Sequence, residues 1–318
     1  MLATLAGGVG AARFLAGLVR VVPPADVVAI VNTADDDEFH GLYVSPDLDS
    51  VTYTLAGASN VTQGWGLEGE TFATLDALGR YDVPTWFRLG DKDLATHLFR
   101  AERLHAGLRL TETALELQHA LGARSRILPM TDDPVRTRVR TDDGWLDFQD
   151  YFVRLHQAPE VREVRYDGAA ASSATPEVRD AIATANVVVV APSNPVVSIG
   201  PILAVPGVMD EITAVRRRGV RVVGVSGIVG GKAVRGPADR MLSSLGEESS
   251  ALGVARRYAA AGLLDTLVID AADEALAGEI RSLGLGVAVT DTIMTDVAAR
   301  ARLAREMLAL VTSGGVVA

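Results

Sequence analysis

The 318-residue sequence contains no cysteine, which excludes a disulfide framework, a thiolate nucleophile and a zinc site built from cysteine. Its five histidines show no His-x-x-x-His spacing, which excludes that pattern of a catalytic zinc helix. Basic residues are also scarce, since 30 lysines and arginines stand against 40 aspartates and glutamates, a formal net charge of -10. This balance argues against a nucleic-acid or membrane-surface partner, so an anionic ligand needs a local site.

Long apolar stretches without breaking residues are absent as well. The longest weakly polar stretch, 187–208, contains four prolines, so it cannot form one continuous membrane-spanning helix. The stretch from Met1 to Val22 lacks a basic leading segment and carries Arg13 and four glycines, so we expect no export signal. With 48% hydrophobic residues, the chain is expected to be a soluble, cytoplasmic protein with a substantial core.

Short apolar runs alternate with amphipathic segments towards both ends of the chain. Such runs are typical of buried parallel strands, and helical spacing of apolar residues separates them. The runs interpreted as strands are 2–5, 27–31, 187–190, 220–225, 267–269 and 287–289. This alternation predicts an α/β fold, with a Rossmann-like doubly wound parallel sheet.

The middle of the chain differs in character, because aromatic residues concentrate between Asn60 and Arg165 and amphipathic helices predominate there. The helices and the two strands of an Asp-Gly hairpin are predicted at 70–80, 91–105, 111–121, 135–140 and 145–148. We therefore predict a nucleotide-binding α/β domain from 1–60 and 170–318. The segment 61–169 is predicted to form an inserted, mainly helical lobe with a β-hairpin.

A glycine-rich turn, Gly7-Gly8-Val9-Gly10, follows the first predicted strand and precedes a helix. Glycines there let the backbone approach a phosphate, and the helix N-terminus offers unpaired N–H groups. A tight strand-to-helix turn without any ligand gives the same pattern. The third glycine of the dinucleotide fingerprint is missing, because Arg13 stands three residues after Gly10, and this weighs against a plain dehydrogenase.

Carboxylates follow the second predicted strand. Asp35 and Asp36 precede Asp47 and Asp49 by about a dozen residues, with a glycine and a proline bending the chain between the two pairs. Carboxylate oxygens that converge on one point suit magnesium, which in turn suits phosphates. A solvated turn or a helix N-cap is the alternative interpretation. His40 lies within this acidic loop, whereas His97, His105 and His119 are expected to be packing residues of helices.

Two further loops follow predicted strands of the same sheet. The first, 191–201, places Ser193 and Asn194 among prolines, and the second, 226–237, is rich in glycine and carries two cations. Each is also compatible with a structural turn. Together with the glycine-rich turn at 7–10, however, they make three such loops at one sheet edge, and this favours a ligand site. A charged turn before the 91–105 helix carries Arg88, either as part of a helix cap or facing a ligand across a cleft from Asp49.

In this order the motifs resemble those of the 2-phospho-L-lactate transferase family, which acts in biosynthesis of the deazaflavin coenzyme F-420. The resemblance runs from Leu5 to Met294 and is carried by Ser-Pro-Asp-Leu-Asp at 45–49, Leu-Gly-Asp-x-Asp-x-Ala-Thr-His at 89–97 and Pro-Ser-Asn-Pro-x-x-Ser-Ile-Gly-Pro-Ile at 192–202. The Gly-Gly-Val-Gly-x-Ala-Arg-Phe form of the first loop resembles the actinobacterial branch, which transfers phosphoenolpyruvate.

The resemblance implies magnesium-dependent transfer of a phosphoenolpyruvyl or phospholactyl group from a guanosine diphosphate carrier to the ribityl hydroxyl of the deazaflavin Fo, with release of GMP. It implies that Asp35 and Asp36 hold magnesium. Asp49 and Arg88 are expected to contact Fo, and Asp49 to orient or deprotonate the attacking hydroxyl. The residues expected to hold the diphosphate and the guanosine are Gly8, Gly10, Asn32, Thr33, Ser193, Asn194, Gly227 and Gly230.

Related chains with the same Gly-Gly-x-Gly and Asp-Asp loops are UDP-sugar-binding regulatory proteins without known transfer chemistry, and such a binding module is the alternative function. The 45–49 motif and the aromatic insertion, a stacking surface for a flat tricycle, favour the transferase. The transferred acid stays open among phosphoenolpyruvate, phospholactate and phosphoglycerate, and so do the metal-binding carboxylates. The apolar stretch 196–209 predicts a homodimer.

Overall fold

A computed structural model describes residues 1–60 and 64–312; the first three residues of the predicted lobe, 61–63, and the residues after 312 lie outside the described part. The strands are β1 (Leu2–Ala6), β2 (Val27–Val31), β3 (Asp37–Phe39), β4 (Leu42–Val44), β5 (Arg126–Pro129), β6 (Arg136–Thr141), β7 (Gly144–Asp147), β8 (Glu163–Asp167), β9 (Val187–Val190), β10 (Arg221–Val225), β11 (Ile228–Val229), β12 (Lys232–Ala233), β13 (Thr266–Asp270) and β14 (Gly286–Thr290). The α-helices are α1 (Gly8–Leu18), α2 (Pro46–Leu55), α3 (Ala73–Leu78), α4 (Asp91–His105), α5 (Leu110–Ala120), α6 (Pro176–Ala183), α7 (Gly200–Ala204), α8 (Val208–Arg217), α9 (Ala238–Ser244), α10 (Ala251–Ala260), α11 (Ala277–Ser282) and α12 (Val297–Thr312).

Seven strands form one parallel sheet in the order β5-β2-β1-β9-β10-β13-β14. The order reverses between β1 and β9, which are neighbours in the sheet although residues 7–186, more than half of the chain, separate them. The prediction of a Rossmann-like doubly wound sheet is thereby confirmed. In such sheets the loops beyond the carboxyl ends of the two strands at the reversal enclose the ligand crevice.

The strands are continuous apolar runs because both faces of the sheet are covered. Successive side chains of a strand point to opposite faces, so Val28 and Ile30 pack in one core while Val27 and Val31 pack in the other. Helices α6, α8 and α10 contribute to the first core, and α1, α2 and α12 to the second. The central strands are thus rigidly held, and their carboxyl ends present loops at fixed positions.

The segment predicted as an inserted lobe is divided in the structure. Residues 126–129 form β5, which pairs with β2 at the edge of the main sheet, so this part of the predicted lobe belongs to the α/β layer instead. The strand is only four residues long, and it begins with Arg126 and ends with Pro129. It therefore gives a weak sequence signal although Ile127 and Leu128 are fully buried. The other domain boundaries stay a prediction.

The predicted hairpin is present as β6 and β7, and a strand that was not predicted, β8, pairs with the other edge of β6. Helices α4 and α5 agree with the predicted spans to within one residue at each end, whereas α3 covers only the middle of the predicted 70–80 helix. These elements follow β2 in the chain and stand over one side of the crevice.

The apolar stretch 196–209, which predicted a homodimer, is buried within the chain. Val196, Val197, Ile199, Ile202, Val205 and Val208 all belong to the first core. Their apolar character is therefore explained without a second copy, and the homodimer stays a prediction that this stretch does not support. Among the described residues, no single helix is long and apolar enough to cross a membrane; the pair 195–204 and 208–217 passes that test only together and bends by 84° between its halves.

Candidate functional site

A cavity of about 990 Å³ opens at the carboxyl edge of the sheet, at the reversal of strand order between β1 and β9. The loops after β1, β9 and β10 line one side of it, and residues from the segment 64–88 line the other. Its volume lies at the upper end of the range for small-molecule sites. A nucleotide and a second flat substrate can therefore share it.

The glycine turn after β1 forms the floor of the cavity. A Cβ at Gly10 would lie 2.6 Å from the carbonyl oxygen of Pro192, and one at Gly7 would lie 2.7 Å from Cβ of Ser198. Glycine is thus required because the loops after β1 and β9 touch through their backbones. Gly8 begins α1 with a φ of 73°, and Gly8 and Gly10 both line the cavity, as expected of phosphate contacts.

Two carboxylates, Asp35 and Asp47, face this floor, and both are largely buried. Among the described residues, Oδ1 of Asp35 has no hydrogen-bond partner. Burial, and next the neighbouring Asp47, raise the pKa of Asp35 well above its usual range. Burial also raises the pKa of Asp47 to about 6, against the hydrogen bond from Asn32 and the contact with the Gly8 backbone. The pair is therefore a poorly neutralised concentration of negative charge, and a cation would stabilise it.

Asp36, the second expected metal ligand, points away from the cavity. Its Oδ2 accepts hydrogen bonds from the Tyr43 hydroxyl at 2.8 Å and the Ser45 hydroxyl at 2.7 Å. Burial raises the pKa of Asp36 to about 7. Asp36 does not line the cavity, and the carboxylate that faces Asp35 there is Asp47. His40 lies still farther from the floor, exposed at the turn between β3 and β4 with a φ of 55°.

Asn32 and Thr33 are buried beneath the cavity and do not line it. The Asn32 side-chain amide donates to Oδ2 of Asp47 at 3.0 Å and to the Val197 carbonyl at 3.3 Å. Asn32 Oδ1 accepts from the backbone N–H of Ala34. The expected diphosphate contact at Asn32 is therefore replaced by an orienting role, in which Asn32 aims Asp47 at the cavity and ties β2 to the β9 loop.

Asp49 also lines the cavity, and Arg100 of α4 holds it in place. The fully buried Arg100 guanidinium donates to both oxygens of the Asp49 carboxylate, one of them at 3.2 Å. Its NH1 lies 3.1 Å from Nδ1 of His97, and Nε2 of His97 lies 3.4 Å from Oδ1 of Asp93. The Tyr53 hydroxyl donates to that same Asp93 oxygen at 2.5 Å.

Asp49, Asp93 and His97 bring ligand atoms within 4.8 Å of one another. Because the Arg100 cation already neutralises Asp49 in a buried environment, the group is better explained as an ion-pair network than as a metal site. His97, expected to be a packing residue, is buried as expected but belongs to this polar network and reaches the cavity. The i, i+4 spacing of Asp93 and His97, followed by Arg100, was the available sequence signal.

Aromatic side chains form another part of the cavity lining, the aromatic wall. Phe39 and Phe87 stack with centroids 4.0 Å apart, and Trp86 packs edge-on against Phe87. Arg88 lies over the Phe72 ring, 4.2 Å from its centroid, and forms no ion pair with any described carboxylate. The aromatic residues that line the cavity are Tyr53, Trp65, Trp86, Phe87, Phe148 and Phe152. This wall provides flat apolar surfaces beside an uncompensated cation.

The loops after β9 and β10 complete the floor. The buried Oγ of Ser193 has no hydrogen-bond partner among the described residues, and Ser193 lines the cavity. Asn194 lines it too, but its Oδ1 accepts from the N–H groups of Val196 and Val197, so it also caps the next turn. Gly227 packs close to the Ser193 backbone. Gly230 lies outside the cavity lining.

The backbone N–H of Gly230 donates to both carboxylate oxygens of Asp273 at 3.1 Å. The structure therefore brings together Gly8, Gly10, Asp35, Asp49, Arg88, Ser193, Asn194 and Gly227 of the expected residues. The four expected residues that do not line the cavity are Asn32, Thr33, Asp36 and Gly230. Asp47 was predicted only as one of the converging carboxylates, without a role of its own, and Arg100 was not predicted as part of the site.

Known proteins resemble this chain along almost its whole length. The family model described as 2-phospho-L-lactate transferase CofD matches residues 2–305. The phosphoenolpyruvate transferase of Streptomyces griseus is 45% identical over 311 residues, covering 96% of each chain. The 2-phospho-L-lactate transferase of Methanothermobacter thermautotrophicus is 40% identical and covers 97% of each chain.

A solved structure of a UPF0052-family protein from Bacillus halodurans superposes with a TM-score of 0.61 at 17% identity. It covers 96% of this chain and 98% of its own. At that identity the likeness concerns the fold alone.

Proposed function

Because the chain belongs to the 2-phospho-L-lactate transferase CofD family, we propose that it transfers a phosphoenolpyruvyl or phospholactyl group from a guanosine diphosphate carrier to the ribityl hydroxyl of the deazaflavin Fo. GMP is the other product, and the reaction belongs to coenzyme F-420 biosynthesis. The observation that carries the proposal is the single cavity that joins a glycine floor to an aromatic wall, with Asp35, Asp47 and Asp49 facing it.

The nucleotide side of the cavity is the floor. The α1 N-terminus directs the backbone of Gly8 and Gly10 towards the diphosphate, where the partial positive charge of the helix end favours an anion. The unpaired Ser193 hydroxyl and the adjacent Gly227 backbone suit the guanosine. These contacts position the donor without charged side chains, so specificity for the base comes from hydrogen bonds.

The residues fit a magnesium ion, because two buried carboxylates share the cavity and an oxygen of Asp35 has no other described partner. Asp35 and Asp47 would hold the ion, with Asn32 orienting Asp47 from below. Bound there, magnesium would draw charge from the bridging phosphates and stabilise the leaving GMP. Asp36 also has a buried Oδ1 without a described partner, but it is not assigned to the metal because its Oδ2 already accepts two hydrogen bonds and it does not line the cavity.

The acceptor side is the aromatic wall, where Trp86 and Phe87 offer ring faces to the deazaflavin. Asp49 accepts a hydrogen bond from the ribityl hydroxyl. This hydrogen bond orients the hydroxyl oxygen towards the phosphorus of the donor. Since both Asp49 oxygens are already held by Arg100, Asp49 is assigned to orientation rather than to strong base catalysis. Arg88 contacts the polar edge of the bound ring system.

Phosphoryl transfer of this kind depends on alignment and charge neutralisation more than on a base. The attacking hydroxyl oxygen forms a bond to the phosphorus that carries the acid. The bond from that phosphorus to the oxygen bridging towards guanosine breaks, and that oxygen leaves with GMP. The hydroxyl proton passes to water in the cavity as the new bond forms.

Isothermal titration with GDP, Fo and a UDP-sugar, followed by a GMP-release assay with the guanosine-linked acid, tests the proposal. Binding of GDP and Fo, with release of one GMP for each phosphorylated deazaflavin, is the expected result. Binding of the UDP-sugar alone, without turnover, would replace the proposal by the regulatory-protein function.

A further inference from the structure

Beside the main cavity lies a small side pocket of about 40 Å³, which shares the residues Val9, Arg13, Ser50, Tyr53, Gly64, Trp65 and Gly66 with it. Arg13 of α1 and Arg300 of α12 line this side pocket together with the hydroxyl residues Ser50 and Thr54. Within the described part of its lining there is no carboxylate. A small pocket with guanidinium groups and hydroxyls, but no negative charge, is suited to an anion.

Three arginines converge here. Arg13 and Arg300 both line the side pocket, and burial, followed by the neighbouring Arg235 and Arg300, lowers the pKa of Arg13. The Arg235 guanidinium lies against Gly64, where a Cβ would be 2.7 Å from its NH1. None of the three forms an ion pair with a carboxylate of residues 1–60 or 64–312. In a chain with a net charge of -10, such unneutralised cations indicate a ligand that supplies the charge.

The packing of α12 on α1 fixes this arrangement. Gly17 has no room for a Cβ because the backbone of Arg300 occupies that space. Gly17 lies one turn after Arg13 on the same helix, so the two helices cross in backbone contact beside the arginine pair. The buried Nε of Arg300 has no hydrogen-bond partner among the described residues. Arg300 has no carboxylate of the described residues within ion-pair distance, although its charge contributes to lowering the pKa of Asp296, four residues earlier in the chain.

The side pocket adjoins the reacting groups of the proposed function. Arg13 stands one turn along α1 from Gly10, and Ser50 directly follows Asp49 on α2. In a 2-phospho acid, a single carbon separates the carboxylate from the phosphoester oxygen, so the carboxylate must lie near the transferred phosphorus. The side pocket, with a volume of about 40 Å³, has room for one small anionic group.

We propose that Arg13, Arg235 and Arg300 bind the carboxylate of the transferred acid and thereby select donors that carry an acid group. This inference rests on the proposed function, since it assigns one end of the same donor. Guanidinium forks match the two oxygens of a carboxylate. The glycine floor holds the diphosphate, so the arginines add specificity for the acid without being needed for the guanosine.

The test uses isothermal titration in magnesium buffer with three probes: GDP, GDP with a 2-lactyl ester on its terminal phosphate, and the corresponding ethyl ester, which lacks only the carboxylate. The unaltered protein is expected to bind the lactyl ester at least ~10-fold more tightly than the ethyl ester. In the variants Arg13→Gln and Arg300→Gln, the affinity for the lactyl ester should exceed that for the ethyl ester by no more than ~3-fold, while the affinity for the ethyl ester stays nearly unchanged. Arg305→Gln, an exposed arginine on the same α12, should keep the full ratio.

Each other outcome has a distinct meaning. If the unaltered protein binds GDP and both esters equally, the carboxylate site is overturned while the proposed function stands. If both variants lose GDP and the two esters alike, the arginines hold the diphosphate and the inference is again overturned. If the unaltered protein binds none of the three probes, the proposed function fails and this inference fails with it.

Discussion

Arg100 of α4 and Asp49 of α2, 51 residues apart in the chain, form a buried ion pair in which the guanidinium contacts both carboxylate oxygens. Arg100 does not line the cavity, whereas Asp49 does. The pair therefore joins the part of the cavity lining that contains Asp49 to the helix behind it. Because both charges are removed from water, neither is stable without the other.

Replacing Arg100 by methionine should lower the free energy of unfolding by about 3–5 kcal/mol, because Asp49 is left buried and unpaired. The double variant Arg100→Met with Asp49→Asn should recover much of that loss, since no uncompensated charge remains. Urea unfolding of the two single variants and the double variant measures the coupling. Additive effects would show that the pair does not stabilise the fold.

Replacing Asp35 or Asp47 by asparagine should reduce GMP release at least ~100-fold and abolish magnesium binding, because each removes a carboxylate from the proposed metal site. Asp36→Asn should bind magnesium within about tenfold of the unaltered protein, since Asp36 supports the loop through Tyr43 and Ser45. Titration with magnesium distinguishes the three variants. Loss of magnesium binding in Asp36→Asn alone would move the metal away from the cavity floor.

Replacing Asp49 by alanine should weaken Fo binding by roughly 10-fold or more and leave GDP affinity within ~3-fold, because Asp49 faces the acceptor and not the floor. Titration of both ligands gives the answer directly. Asp76→Ala, an exposed acid on α3, serves as the matched control. Equal losses for Fo and GDP in the Asp49 variant would contradict the separation of the two sides.

The metal-free protein should lose stability as the pH rises from about 4 to 7. Burial raises the pKa of Asp47 to about 6 in the folded chain, above the value of about 3.9 expected for an unfolded aspartate. The folded state thus binds this proton more tightly than the unfolded state. The resulting contribution to the free energy of unfolding is fully present below pH 4 and is lost as the pH rises through the folded pKa. The loss is on the order of 2–3 kcal/mol.

Chemical denaturation at pH 4.5 and pH 7.5, without metal, measures this effect. Asp47→Asn carries no titrating group at the position, so its stability should fall less over the same interval. Magnesium should restore the unaltered protein at pH 7.5 but not the variant. An identical pH dependence of the two proteins would exclude Asp47 as the source.

Gly10→Ala should destabilise the fold by about 1–3 kcal/mol, because its Cβ would press against the Pro192 carbonyl oxygen, and it should weaken GDP binding. Gly278→Ala provides the control: this glycine lies within α11 with open space around it, so alanine should stabilise by about 0.5–1 kcal/mol. Thermal unfolding with and without GDP compares the two variants. A neutral Gly10→Ala would show that the two loops separate easily.

The sheet could be predicted from the sequence because its central strands are buried on both faces and read as unbroken apolar runs. Strand β8, at the edge of the separate three-stranded sheet with β6 and β7, could not, since its five residues, Glu163–Asp167, contain only two apolar side chains and stay half exposed. Strand β5 of the main sheet was missed for a related reason, because its three buried residues are too few for a periodic signal.

The site could be predicted from the sequence only for residues whose position follows directly from the strand that precedes them. Asp35 follows a buried strand, so its place at the sheet edge could be inferred, but neighbouring residues point apart and Asp36 turns towards Tyr43. Asp47 enters the cavity because Asn32 holds its carboxylate, and Arg100 reaches Asp49 from a distant helix. Both depend on tertiary contacts that no local pattern encodes.

The backbone contact between Gly10 and Pro192 has a consequence for how donor preference changes among related enzymes. A surface formed by main-chain atoms has no side chains that substitutions could change. Any atom added at Gly10 would push apart the loops that follow β1 and β9. Under the proposed function, new preferences for the transferred acid would therefore arise at the margin of the cavity, through substitutions of long side chains such as Arg13. The glycine floor would stay the same while the residues beside it diversify.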